Sequence, residues 1–87
     1  MTRKEVYRVI DSEREYQDSL WPQDGRKGSP NPLTVGEFLL LIENYTSQAR
    51  TVWSHEKKPT RATLNTIRKI AGIVVNCMEQ HGADPRT

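Results

Sequence analysis

Eighty-seven residues, a formal charge of +2 from 13 Lys and Arg against 11 Asp and Glu, and only 34% hydrophobic residues describe one small helical domain, 1–87, with a thin core. One cysteine excludes an internal disulfide, no Cys/His spacing suits zinc, and no run of 18 apolar residues is available to cross a membrane. The basic residues are spread along the chain instead of gathered on one face, which argues against a dedicated nucleic-acid binder. Without disulfide or metal staples, homo-oligomerisation is the expected route to stability. The lone thiol Cys77 and the lack of a signal-like start lead to a cytoplasmic expectation.

The first predicted helix covers 2–21. Thr2-Arg3-Lys4-Glu5 is a capping-box pattern, and Pro22 disfavours helical geometry at Trp21. Val6, Val9, Ile10, Tyr16 and Leu20 recur at helical spacing, and Glu13 falls within the same stripe. A carboxylate there needs a cationic partner, a bound cation or a proton, so Glu13 either closes a structural network or marks a site. An arginine of the third helix is the expected structural partner, with Tyr16 and Trp21 then packed inward.

Residues 22–33 hold Pro22, Pro30, Pro32, Gly25, Gly28 and the pair Arg26-Lys27, a long loop for so small a domain. A second capping box, Thr34-Val35-Gly36-Glu37, opens a predicted helix over 34–53. Phe38, Leu41, Ile42, Tyr45, Ala49 and Val52 share a face, and Leu39 and Leu40 widen the apolar arc beyond one neighbour. Lys57-Lys58-Pro59 ends the pattern, and Thr60 caps a third helix over 60–81. Leu64, Ile67, Ile70, Ala71, Val74, Val75 and Met78 supply its apolar face, with Gly82 placed as a left-handed C-cap and 83–87 as a frayed tail. Gly72, costly inside a helix, implies that another helix or a ligand comes close. The expected architecture is all-α, a three-helix antiparallel arrangement in which helices two and three form the core hairpin.

The residues that could carry chemistry concentrate on the first and third helices. Arg14, Arg68 and Lys69 could take phosphates, Tyr16 or Trp21 could stack on a base, and Gln17 could read its edge. Glu13 would orient an arginine or accept from a ribose hydroxyl. A solvated cationic face, with its arginines paired to Glu13 and Glu43, is the plainer alternative. Cys77, Glu79 and His81 are too few for a metal site, and His81 is explained by its place at a helix C-terminus. No cofactor, metal or catalytic residue is expected.

The segments Ile67-Arg68-Lys69-Ile70-Ala71-Gly72-Ile73, Cys77-Met78-Glu79-Gln80-His81-Gly82-Ala83 and Glu15-Tyr16-Gln17 with Trp21 resemble small uncharacterised phage-encoded helical proteins. By analogy of type, phages encode short helical oligomers that sequester nucleotide immune signals. The resemblance implies a non-enzymatic accessory protein holding a small anionic nucleotide-type ligand between subunits. Two alternatives stand beside it. One is an inhibitor or adaptor that meets a host protein through the apolar face of the second helix. The other is a magnesium-dependent all-α nucleoside triphosphate pyrophosphohydrolase, for which Glu13, Glu15 and Glu79 offer carboxylates, although no Glu-Glu-x-x-Glu motif is present.

Overall fold

A computed structural model describes residues 1–20 and 33–87, and the described residues form three helices and no strand. They are α1 (Arg3–Leu20), α2 (Val35–Glu56) and α3 (Arg61–His81). Trp21 and the loop expected at 22–33, apart from Leu33, lie outside the described residues.

The helix starts follow their capping chemistry. Glu5 N–H donates to Thr2 Oγ1 at 3.1 Å while Thr2 N–H donates back to Glu5 Oε1 at 3.3 Å. Thr34 and Glu37 repeat the reciprocal pair at 3.1 and 3.0 Å. Thr60 accepts from Thr63 N–H, the simpler form of the same cap.

The helix ends differ from expectation. α2 continues to Glu56, three residues past the expected 53, and stops where Lys57 turns left-handed at φ 52°, its N–H bonded to Trp53 O at 2.7 Å. Pro59 explains the stop, since it drives Lys58 out of helical geometry. Gly82 has the positive φ of 101° that favours glycine, but its ψ of 160° is extended, so it is not the left-handed cap that was expected. Residues 83–87 are exposed and carry no regular structure.

Helix α3 is the shared element. Both α1 and α2 pack on it, whereas no Cα of α1 lies within 8 Å of one of α2. Ile73 of α3 and Phe38 and Ala49 of α2 are buried; the Phe38 ring lies edge-on to His81 at 6.0 Å, and Ala49 shares a hollow with Thr63 and Ile70. His81 also reaches Leu33, whose carbonyl can only accept, so Nε2 donates across 2.8 Å. The α1 side is different in kind. Its buried residues are Glu13, Arg14 and Gln17, while Tyr16 and Leu20 of the expected apolar stripe are 56% and 50% exposed. Polar groups displace the apolar stripe because α3 presents Gly72 there. The missing side chain leaves room for the heads of Glu13 and Gln17, which no leucine-sized neighbour would.

Candidate functional site between α1 and α3

The interface of α1 and α3 is a chain of polar side chains with matched partners. Glu13 is 4% exposed, and its carboxylate accepts from two sides: Arg68 Nε donates to Oε1 at 2.8 Å and Gln17 Nε2 to Oε2 at 3.1 Å. Gln17 also donates to the Lys69 carbonyl at 3.1 Å, tying α1 to the α3 backbone. Arg14 takes the next position along the helix. Its Nε and Nη2 donate to the two oxygens of Glu79 at 2.7 and 3.3 Å, Nη2 reaches Asp18 at 2.9 Å, and Nη1 meets Gln17 Oε1 at 3.3 Å. Burial opposes the charged form of Arg14. The hydrogen bonds and negative charge of Glu79, joined by Asp18, outweigh it and raise the Arg14 pKa above its usual range. A paired, hydrogen-bonded network of this kind keeps its charges only while every member is in place.

Above this layer, α1 and α3 enclose a solvent-open cleft of about 480 Å³. Its walls are Val9, Ser12, Glu13 and Tyr16 from α1 and Asn65, Thr66, Arg68 and Lys69 from α3. That volume falls in the range of small-molecule sites. Arg68 is the organised cation of the cleft. Besides Glu13, it donates from Nη1 to Asn65 Oδ1 at 3.0 Å, so two of its five N–H donors are committed and its plane is set. Its side chain remains 41% exposed. Lys69 lines the same cleft but leans its ammonium over the Tyr45 ring of α2, 4.9 Å from the centroid. The arrangement offers an oriented guanidinium, a nearby second cation, an exposed phenol ring, and hydroxyl and amide groups from Ser12, Thr66 and Asn65. It can hold an anion by a fork and a planar group by a ring face.

Of the residues singled out by sequence, Glu13, Tyr16, Arg68 and Lys69 thus meet in one cleft. Arg14 and Gln17 do not line it; they lie in the buried layer and are bonded to Glu79, Asp18, Glu13 and Lys69. Trp21 lies outside the described residues. Ser12, Asn65 and Thr66 were not anticipated, although Ser12 adjoins Glu13 and Asn65 stands one turn before Arg68, a relation legible on a helical wheel. Glu79, expected beside Cys77 and His81 or as a carboxylate for magnesium, is the partner of Arg14. Among the described residues, no three His, Cys, Asp or Glu side chains converge as metal ligands would. None of the described helices is long and apolar enough to cross a membrane.

Comparison with known proteins finds no family model, no curated protein and no solved structure that matches this chain.

Proposed function

We propose that the protein binds a small anionic nucleotide-type ligand in the α1/α3 cleft and holds it without turning it over. The observation that carries this reading is the fixed Arg68 guanidinium, oriented by Glu13 and Asn65 and still presenting N–H donors to a cleft walled by Tyr16 and Lys69. Arg68 anchors the phosphate as a fork, Lys69 adds charge, and Tyr16 stacks on the base. Arg14 and Gln17 act from behind by holding Glu13, and Trp21 remains a candidate second ring. In this reading the chain is a phage accessory protein, an antiparallel three-helix unit that self-associates in the host cytoplasm and sequesters a nucleotide immune signal.

The test is a thermal titration of the pure protein with adenosine 5′-diphosphate ribose and with cyclic dinucleotides, followed by chromatography of the recovered nucleotide. A ligand at about one hundred times its Kd stabilises by about 2.7 kcal/mol, which raises the Tm of a domain this small by roughly 10–20 °C. The reading expects such a shift for one of these probes, loss of the shift in Arg68→Gln, and return of the nucleotide intact. No shift with any probe contradicts it.

A second reading is favoured by a separate observation. Leu39 and Leu40 are 55% and 66% exposed, and Leu40 joins Leu33, Glu37 and Leu41 in a shallow apolar groove of about 300 Å³. A host protein docking there would make the chain an adaptor or inhibitor, and Leu40→Glu would then abolish capture of that partner while leaving self-association intact. The pyrophosphohydrolase alternative requires Glu13 and Glu79 to leave Arg68 and Arg14 in order to bind magnesium.

A further inference from the structure

The charge balance of the α1/α3 cleft limits the kind of phosphate it can hold. Among the described residues its charged walls are Glu13, Arg68 and Lys69, one carboxylate against two cations, a formal +1. Glu13 is buried and bonded to Arg68 Nε, so a negative charge already lies against the guanidinium. The layer beneath adds no positive charge, because Arg14 sits between Asp18 and Glu79, one cation against two carboxylates. Cleft and layer together are formally neutral. Lys69 supplies the remaining cation from its place over the Tyr45 ring.

The uncharged groups restrict the ligand in the same direction. Ser12 Oγ donates to the Val9 carbonyl at 2.6 Å and Thr66 Oγ1 to the Ala62 carbonyl at 3.0 Å. Each hydroxyl has its proton committed and offers lone pairs, which repel anionic oxygens. Asn65 Oδ1 is taken by Arg68 Nη1, which leaves the Asn65 amide N–H groups as donors. Of the five Arg68 donors three remain, on Nη1 and Nη2, enough to seat one phosphate group as a fork. A second anionic group would find no second fork and would meet Glu13 and the two hydroxyl oxygens.

Within the nucleotide reading above, on which this step rests, we infer that the cleft selects a phosphodiester over a terminal phosphate or a pyrophosphate. A diester carries one negative charge on two free oxygens, which the two terminal nitrogens of Arg68 match. Its two ester oxygens are uncharged and sit beside Ser12 and Thr66 at less cost. A phosphate monoester at neutral pH carries a charge near −2, and a pyrophosphate charges two adjacent groups. Like charge against Glu13 then discriminates between ligands that share a base and a sugar.

Isothermal titration calorimetry of the full chain tests this with the 3′,5′-cyclic and 5′-monophosphates of adenosine and guanosine, cyclic di-adenosine monophosphate and adenosine 5′-diphosphate ribose. At pH 8.0 a cyclic phosphodiester is expected to bind at least about tenfold more tightly than either the 5′-monophosphate of its base or the diphosphate ribose, a single decade of discrimination. The cyclic mononucleotide and dinucleotide arms show which size of diester the cleft takes. With a second phosphate pKa near 6, about 1% of a monoester is singly charged at pH 8.0 and about three quarters at pH 5.5. The 5′-monophosphate should therefore tighten by up to roughly 75-fold across that range, relative to the cyclic diester. The titratable and charged groups that face Arg68 are Glu13 and Tyr16 from α1 and Lys69 from α3, with Tyr45 of α2 beyond Lys69; they act on both probes alike. Ser12→Lys, at an exposed position, takes the cleft to a formal +2 and should narrow the preference at least about threefold with unchanged helical circular dichroism. A 5′-monophosphate or diphosphate ribose that binds as tightly as the diesters at pH 8.0 overturns the selection and leaves the nucleotide reading standing. Failure of every probe to bind overturns both. A monoester affinity that does not change with pH relative to the diester, or a preference unchanged in Ser12→Lys, overturns charge as the selecting property.

Discussion

Gly72→Ala is the substitution that weighs helix propensity against packing most sharply. Alanine in a helix interior is favoured over glycine by about 1 kcal/mol, so propensity alone predicts a more stable protein. The structure predicts the reverse. A Cβ built on Gly72 would stand 2.7 Å from Gln17 Nε2, 2.9 Å from Gln17 Oε1 and 2.8 Å from Glu13 Cγ. The Gln17 amide is the end of a flexible side chain, yet it is 1% exposed and bonded to Glu13, to the Lys69 carbonyl and to Arg14. Glu13 Cγ is nearer the backbone, and turning it aside would pull the carboxylate off Arg68 and Gln17. Overpacking costs about 1–3 kcal/mol, and a buried amide that loses its partners costs about 1–3 kcal/mol more. Set against the propensity gain, the net loss is about 3 kcal/mol, a fall in Tm of roughly 12–24 °C. Gly36→Ala is the internal control, since its Cβ would meet only Thr34 Oγ1 at 3.8 Å; it should be neutral or slightly stabilising. Thermal and urea denaturation of the three proteins by circular dichroism makes the comparison. A Gly72→Ala protein at least as stable as the wild type refutes the close approach, and with it the packing that holds Glu13 against Arg68.

Three further expectations are read in the same way. A double-mutant cycle of Glu13→Gln and Arg68→Gln, measured by urea denaturation, should give a coupling of about 1–3 kcal/mol, reduced below that of a fully buried pair because Arg68 is 41% exposed; a coupling near zero rejects the pair. Lys57→Gly should raise stability by about 0.5–1 kcal/mol, because the residue holds a left-handed φ of 52° that glycine adopts without strain, and a lower Tm argues against that cap. The bond from Thr34 N–H, then that from its hydroxyl, holds the Glu37 carboxyl below its usual value. A depressed folded pKa supports the native state above the unfolded value and loses that support as pH falls through the folded one. The wild type should therefore lose more stability between pH 6 and pH 3 than Glu37→Gln, which keeps the capping box without the charge; parallel profiles contradict this.

The features legible in sequence were those whose causes are local. Thr2-Glu5, Thr34-Glu37 and Thr60 set the helix starts through contacts three residues apart, and the chain shows them directly. Glu13 and Gly72 were legible because each breaks the pattern of its own helix, and they prove to face each other. The burial of Arg14 and Gln17 was not legible. Arg14's partner Glu79 stands 65 residues away and Gln17's partner, the Lys69 carbonyl, 52 residues away, and no local pattern encodes either pairing. Tyr16 and Leu20 are exposed for the same reason: the depth of α1 on α3 is set by the polar network and by Gly72, not by the apolar stripe of α1. The left-handed Lys57 had a visible cue in Pro59, two residues on, but the residue type at the cap itself gave no sign.

Ligand binding in the α1/α3 cleft is tested by titrating the ¹⁵N-labelled protein with adenosine 5′-diphosphate ribose and with a cyclic dinucleotide, read by amide chemical shifts. The probe that binds should give saturable shifts concentrated at Val9, Ser12, Tyr16, Asn65, Thr66 and Lys69, lost in Arg68→Gln. Shifts concentrated along Leu33, Glu37, Leu40 and Leu41, or no saturable shift with either probe, would contradict it.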